Sequence, residues 1–195
     1  MEYIVLDLEW NQPECRRKMI KAPIKLKGEI IQIGAAKVNE KLEVLDTFNM
    51  YIKPVFYPKM NRKVEEVTGL QILDLAEGVP FKEAAESFRE WCGNAPFVTW
   101  GPDDLYMLDD NLYIHGLDTS WLPEVFDAQE IFDDQVTMEG RQFALSYAIY
   151  YFKLKCFEAH NALNDTLNTV SVLRCLDFLK GIKDQYDYYY APAMQ

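Results

Sequence analysis

The sequence is poor in several things that common functional classes need. Only two histidines, His115 and His160, occur in 195 residues, and the four cysteines, Cys15, Cys92, Cys156 and Cys175, form no C-x-x-C pair. Zinc sites of the Cys/His type therefore lack their usual spacing, and reduced thiols are expected. No apolar run approaches the roughly 18 residues that a membrane span needs. The start, MEYIVLDLEW, carries an acid where a secretory signal would be basic. The expectation is a cytoplasmic chain with no membrane contact. Positive charge is scarce as well: 20 Lys+Arg face 31 Asp+Glu, a formal net charge of −11. Taken whole, that balance argues against a nucleic-acid partner.

What is present narrows the reading. Apolar residues make up 49% of the chain and aromatic residues 14%, which excludes a disordered chain. The length suits one domain with a sizeable core. The acidity is uneven: residues 1–100 hold 14 Lys+Arg against 15 Asp+Glu, whereas residues 101–195 hold 6 against 16. Arg16, Arg17, Lys18, Lys21, Lys25 and Lys27 form a segment without an acid among them. Because salt screens charges more than about 10 Å away, such a segment can meet phosphate on an acidic protein.

Three β-rich runs open the chain: Tyr3–Leu8, Glu29–Val38 and Val44–Ile52, the last two joined by the polar turn Asn39-Glu40-Lys41. Residues 60–78 read as short helices and turns. Pro80 opens a helix whose Phe81, Ala84, Ala85, Phe88, Trp91 and Cys92 keep helical spacing. Pro96–Trp100 reads as a fourth strand, Asp103 begins a helix, and the remainder reads as helical, with segments Phe143–Phe152 and Asn164–Leu179. The fold class is α/β, strands first and helices later. The division expected is a domain over 1–182 and a tyrosine-rich tail over 183–195.

Three acidic clusters stand out. Asp7 and Glu9, two apart on a strand, point to one face among apolar neighbours. Like charges so placed repel unless a cation neutralises them, and carboxylate oxygens suit Mg²⁺ or Mn²⁺. Asp103 and Asp104 follow the turn Trp100-Gly101-Pro102, where an acid also complements the positive end of a helix. In HNALNDT, His160 precedes Asp165 by five residues. On one continuous helix they would lie about 140° apart, so convergence requires His160 on the preceding loop.

DLEW, WGPDD and HNALNDT, in this order and spacing, resemble the three motifs of the DEDD superfamily of 3′–5′ exonucleases, in the subgroup with a histidine in its third motif. The resemblance covers roughly residues 3–180, and GEIIQIGAAKVN and VTGLQILDLAEGVPFKEAAESFREW also look like family text. It implies a ribonuclease H-like three-layer fold, a mixed central sheet of about five strands flanked by helices. It further implies hydrolysis of phosphodiester bonds at single-stranded 3′ ends of RNA or DNA, aided by two divalent cations, Mg²⁺ or Mn²⁺, with nucleoside 5′-monophosphates as products. Position by position, the metal ligands would be Asp7, Glu9, Asp104 and Asp165. Asp104 is chosen over Asp103 because the family's second motif resembles W-G-x-x-D. His160 would be the general base, since an imidazole exchanges protons near neutral pH. Glu9 would also touch the terminal 3′-OH.

Trp10 and Leu70, in TGL, stand where relatives place apolar groups against terminal bases, and Arg16, Arg17 and Lys18 are the phosphate contacts expected from the basic segment. DLEW is followed by Asn11 and Gln12 where many relatives have Thr-Thr-Gly or Thr-Cys, so substrate contacts near the first motif can differ. The text is closer to the branch that trims structured or small RNAs than to proofreading subunits, which favours RNA slightly. Two alternatives stay open: a silent exonuclease fold kept as a nucleic-acid-binding or interaction module, and a DNA proofreading or repair enzyme.

Overall fold

In a computed structural model, residues 1–191 are described. The first strand, β1 (Glu2–Asn11), pairs antiparallel with β2 (Glu29–Asn39), which pairs antiparallel with β3 (Val44–Tyr51). On its other side β1 pairs parallel with β4 (Phe97–Thr99), and β4 pairs parallel with β5 (Val125–Asp127). The sheet is therefore mixed, in the order β3-β2-β1-β4-β5. Among the described residues the α-helices, in chain order, are seven: α1 (Arg62–Thr68), α2 (Phe81–Cys92), α3 (Asp103–Ile114), α4 (Ala128–Phe132), α5 (Leu145–Tyr151), α6 (Ala162–Leu173) and α7 (Phe178–Tyr189). Among the described residues no helix is long and apolar enough to cross a membrane.

Strand alternation builds the layers. Ile4, Leu6 and Leu8 share one cluster with Phe81, Ala84, Ala85 and Phe88 of α2 and with Met107, Leu108 and Leu112 of α3. Tyr3 and Val5, facing the other way, share a second cluster with Val170 and Leu173 of α6 and with Phe178 and Ile182 of α7. Asp7 and Glu9 continue the face of Tyr3 and Val5, so they lie under α6.

Two of the expected elements need correction. Val125–Asp127 is a strand within the stretch read as helical. Three residues carry no period, and its place depends on pairing with β4, a contact absent from the local sequence. The helix expected over 164–179 starts earlier, at Ala162, and stops at Leu173; α7 then starts afresh with Asp177 as its cap, accepting from the Lys180 amide. The apolar stripe runs on through Leu176 across that break, which hides it from periodicity. The boundary expected at 182/183 falls inside α7. Tyr189 donates to Glu130, Tyr190 donates to the Val125 carbonyl, and its ring meets Phe126 edge-on, while the end of the expected tail, 192–195, lies outside the described residues.

Candidate active site

β1 outruns β4: only Ile4 and Val5 pair with it, so the Leu8 N–H has no strand partner on that side. The chain leaves β4 through Gly101, whose φ of +88° favours glycine, and the Gly101 amide donates to Asp127 Oδ1. This turn delivers Asp104 to the end of β1, where Asp104 Oδ1 accepts from the Leu8 N–H at 3.0 Å. Asp104 is 6% exposed, whereas Asp103 faces solvent.

From the other layer, α6 brings the third group. Gly34 stands opposite Asp7 in the β1–β2 ladder, and a Cβ there would lie 2.2 Å from the Ala162 carbonyl carbon and the Leu163 nitrogen. The absent side chain lets the first turn of α6 rest directly on the sheet. Two further bonds fix that turn: Thr166 Oγ1 donates to the Gly34 carbonyl, and buried Gln32, opposite Glu9, accepts from the Ala162 N–H. Asn161 caps the helix by accepting from the Asn164 N–H.

His160 precedes that cap, on a loop, with φ of +64°. Its backbone N–H donates to Asp165 Oδ2 at 2.7 Å, and buried Asn168 donates to Asp165 Oδ1 at 3.2 Å, so both Asp165 oxygens are oriented. Glu9, His160 and Asp165 each bring one ligand atom to within 4.8 Å of the others.

Burial and like charge act together on these acids. Burial, then the nearby carboxylates of Asp104, Glu9 and Asp165, hold the Asp7 carboxyl well above the usual range. Burial, then Asp165, pushes Glu9 up to about 7. Burial raises Asp104 to about 8, against the opposing pull of the Leu8 N–H, with Glu9 and Asp103 adding to the rise. A cluster this reluctant to ionise is the electrostatic counterpart of a cation site. Its donors are hard oxygens plus one imidazole, a set that fits Mg²⁺ or Mn²⁺.

The expected substrate contacts separate. Trp10, half-buried, lines a pocket of about 270 Å³ with Glu9, Gln12, Lys63, Val64, Val67 and Thr68. Leu70 is half-buried just beyond α1 and is not in that wall. Arg16, Arg17 and Lys18 form one exposed 3₁₀ turn and do not line that pocket, and Lys18 is ion-paired with Glu14. Asn11 is fully buried: its amide donates to the carbonyls of Tyr57 and Lys59, and its oxygen accepts from the amides of Gln12 and Asn61. The departure after DLEW is thus a latch that holds the loop leading into α1.

Sequence reasoning missed Lys63, Gln32, Gly34 and Asn168. A glycine and a glutamine inside an apolar strand mark a close approach and a buried polar partner. Asn168, three residues after Asp165, shares its helix face. Lys63 carried no local signal.

The exonuclease family model RNase_T matches residues 4–173. The chain belongs to the exonuclease family. It is 23% identical over 180 residues to a probable 3′–5′ exonuclease, KapD, of Bacillus subtilis, which covers 89% of this chain and 83% of the relative. Among solved structures, the fold is similar to the nuclease domain of 3′hExo, a DEDDh family member bound to rAMP. The TM-score is 0.76 and identity 16%, over 94% of this chain and 92% of that one. It is also similar to the cell-death related nuclease 4 (TM-score 0.74, 19% identity), covering 89% of this chain, which spans 62% of that protein. This is a nuclease of the exonuclease family, a hydrolase, and its fold is the ribonuclease H-like one of those solved nuclease domains.

Proposed function

We propose that this exonuclease removes nucleotides from the 3′ end of single-stranded nucleic acid, with Asp7, Glu9, Asp104 and Asp165 holding two divalent cations and His160 as general base. The observation that carries the reading is the convergence of acids from β1, α3 and α6 beside one accessible imidazole, where Asp7, Glu9 and Asp104 resist ionising. When bound, the cations, Mg²⁺ or Mn²⁺, offset the charge of the scissile phosphate and of the leaving 3′ oxygen.

The chain's own groups do the remainder. Asp104 and Asp165, each oriented by a backbone amide, fix the positions of their oxygens before substrate arrives. His160, exposed at the rim, accepts the proton of the attacking water. Glu9 accepts from the terminal 3′-OH, and the Trp10 wall beside it receives the terminal base. Water adds to phosphorus, the P–O3′ bond breaks, and the proton returns to the leaving oxygen. The product is a nucleoside 5′-monophosphate. RNA is the preferred substrate in this reading, from the likeness of its motifs to RNA-trimming relatives.

The test uses 5′-labelled single-stranded ribo- and deoxyribo-oligonucleotides with Mg²⁺ or EDTA. The reading predicts a ladder shortening from the 3′ end, mononucleotide 5′-phosphates, arrest by EDTA and faster turnover of the ribo-strand. Internal cuts, 3′-phosphate products or undiminished cleavage in EDTA would overturn it, and equal turnover would remove the RNA preference alone.

A further inference from the structure

Residues 141–157 differ from the rest of the acidic half. They hold Arg141, Lys153 and Lys155, half of the six cations after residue 100, and no acid. The same stretch holds six aromatic residues. On α5, Tyr147, Tyr150 and Tyr151 are 40%, 81% and 49% exposed. Their spacing of three and four residues sets them on one face, where Tyr147, Tyr150, Tyr151 and Lys153 line a groove of about 500 Å³.

The rings are ordered. The Arg141 guanidinium lies 4.6 Å over Phe143, Phe143 stacks on Tyr147 at 4.8 Å and 27°, and Tyr147 continues to Tyr151 at 6.4 Å. Arg141 is ion-paired with Glu139, which leaves Lys153 and Lys155 as the cations beside the rings. A protein surface rarely leaves three neighbouring tyrosines open beside two lysines without a partner that uses both. The following loop leads from this face to His160. On the way, the Phe157 amide donates to Asn168 Oδ1, on the same Asn168 whose amide orients Asp165.

We infer that the α5 face is an accessory platform for single-stranded nucleic acid, taking bases on Tyr147, Tyr150 and Tyr151 and phosphates on Lys153 and Lys155. Stacking faces paired with phosphate-seeking cations are the chemistry that binds a single strand without reading its sequence. An acidic partner peptide would use the cations but leave the rings without work. A neutral apolar partner would use the rings but not the cations. The platform rests on the proposed activity: a strand whose 3′ end is in the catalytic cleft would lay its upstream nucleotides here, so long strands gain affinity that short ones cannot.

The experiment measures equilibrium binding in EDTA, by anisotropy, of a fluorescent tetranucleotide and a hexadecanucleotide to the wild type, Tyr150→Ala and a Lys153→Gln/Lys155→Gln pair. Thermal unfolding checks that each variant is folded. Tyr150 is exposed, so its truncation leaves the core intact. The platform predicts that Tyr150→Ala loses roughly tenfold in affinity for the long strand and less than about twofold for the tetranucleotide. The lysine pair should flatten the slope of log K against log salt by about 1.4 for the long strand. Unchanged long-strand affinity in Tyr150→Ala, or an unchanged salt slope in the lysine pair, overturns the platform. Loss of self-association in Tyr150→Ala with unchanged strand binding would assign the face to a second copy and also overturn it. Cleavage of the tetranucleotide by the wild type with Mg²⁺ separates the outcomes: without it the catalytic reading fails, and with it only the platform is at stake.

Discussion

Gly34 faces Asp7 across the β1–β2 ladder, and the backbone of Ala162 and Leu163 fills the space a side chain at Gly34 would need. The distance from Asp7 to the α6 acid is therefore set by a missing methyl group. Gly34→Ala should lift the first turn of α6, lowering stability by about 1–3 kcal/mol. A shift of even 1 Å at Asp165 should slow turnover roughly 100-fold. Urea unfolding and turnover of a labelled oligonucleotide check the pair of effects. A variant with wild-type turnover would show that α6 does not rest on the sheet here.

The carboxyl cluster predicts an unusual pH dependence for the metal-free protein. Glu9 at about 7 and Asp104 at about 8 titrate well above ordinary carboxyls, so the folded state keeps protons that the unfolded chain has released. Their contribution is fully present below the unfolded pKa of about 4 and is lost as pH rises through the folded values. In EDTA, Tm should fall from about pH 5 to about pH 9, and the fall should be shallower in Asp104→Asn, which removes one titrating group. Mg²⁺ should raise Tm most at the alkaline end, since binding displaces the protons. A Tm profile in EDTA identical for wild type and Asp104→Asn would contradict this.

Asn11 joins the end of β1 to the loop before α1 through three hydrogen bonds, to Tyr57, Lys59 and Asn61, and accepts a fourth from its neighbour Gln12. Asn11→Ala leaves buried carbonyls and amides without partners and should cost about 2–4 kcal/mol in chemical denaturation. Because that loop feeds the pocket wall carrying Lys63, KM should rise more than kcat falls. A loss under about 0.5 kcal/mol, the range of ordinary surface substitutions, would remove the latch.

The basic 3₁₀ turn gives a separate prediction. Replacing Arg16, Arg17 and Lys18 with Gln should flatten the salt dependence of single-strand binding by about 2 in slope if all three meet phosphate. Because Lys18 is paired with Glu14 and the turn lies outside the pocket, turnover of a dinucleotide should stay within about twofold. An unchanged slope would assign the turn to solvent alone.

The chain announced much of this in its order of residues. Strand alternation around Asp7 and Glu9, the turn at Gly101 and the five-residue step from His160 to Asp165 are local patterns. Each has a local physical cause. What stayed hidden depends on distant pairing. β5 exists because Val125–Asp127 lies against β4, α6 ends at Leu173 although its apolar stripe continues, and Lys63 reaches the Glu9 pocket through a loop held by Asn11 and Glu29. Asn11 itself read as a departure near the substrate and is instead a buried structural residue.

The central claim is that Asp7 and its neighbouring acids would hold the divalent cations that hydrolysis at the 3′ end requires. The direct measurement is the single-turnover rate of a 3′-labelled single-stranded oligonucleotide by wild type and Asp7→Asn in Mg²⁺, with Tm and Mg²⁺ affinity recorded on the same samples. The account predicts a folded variant that binds Mg²⁺ more weakly and is slower by more than about 100-fold, beyond the loss typical of an outer-sphere partner. A folded Asp7→Asn that keeps its Mg²⁺ affinity and cleaves at the wild-type rate would contradict it.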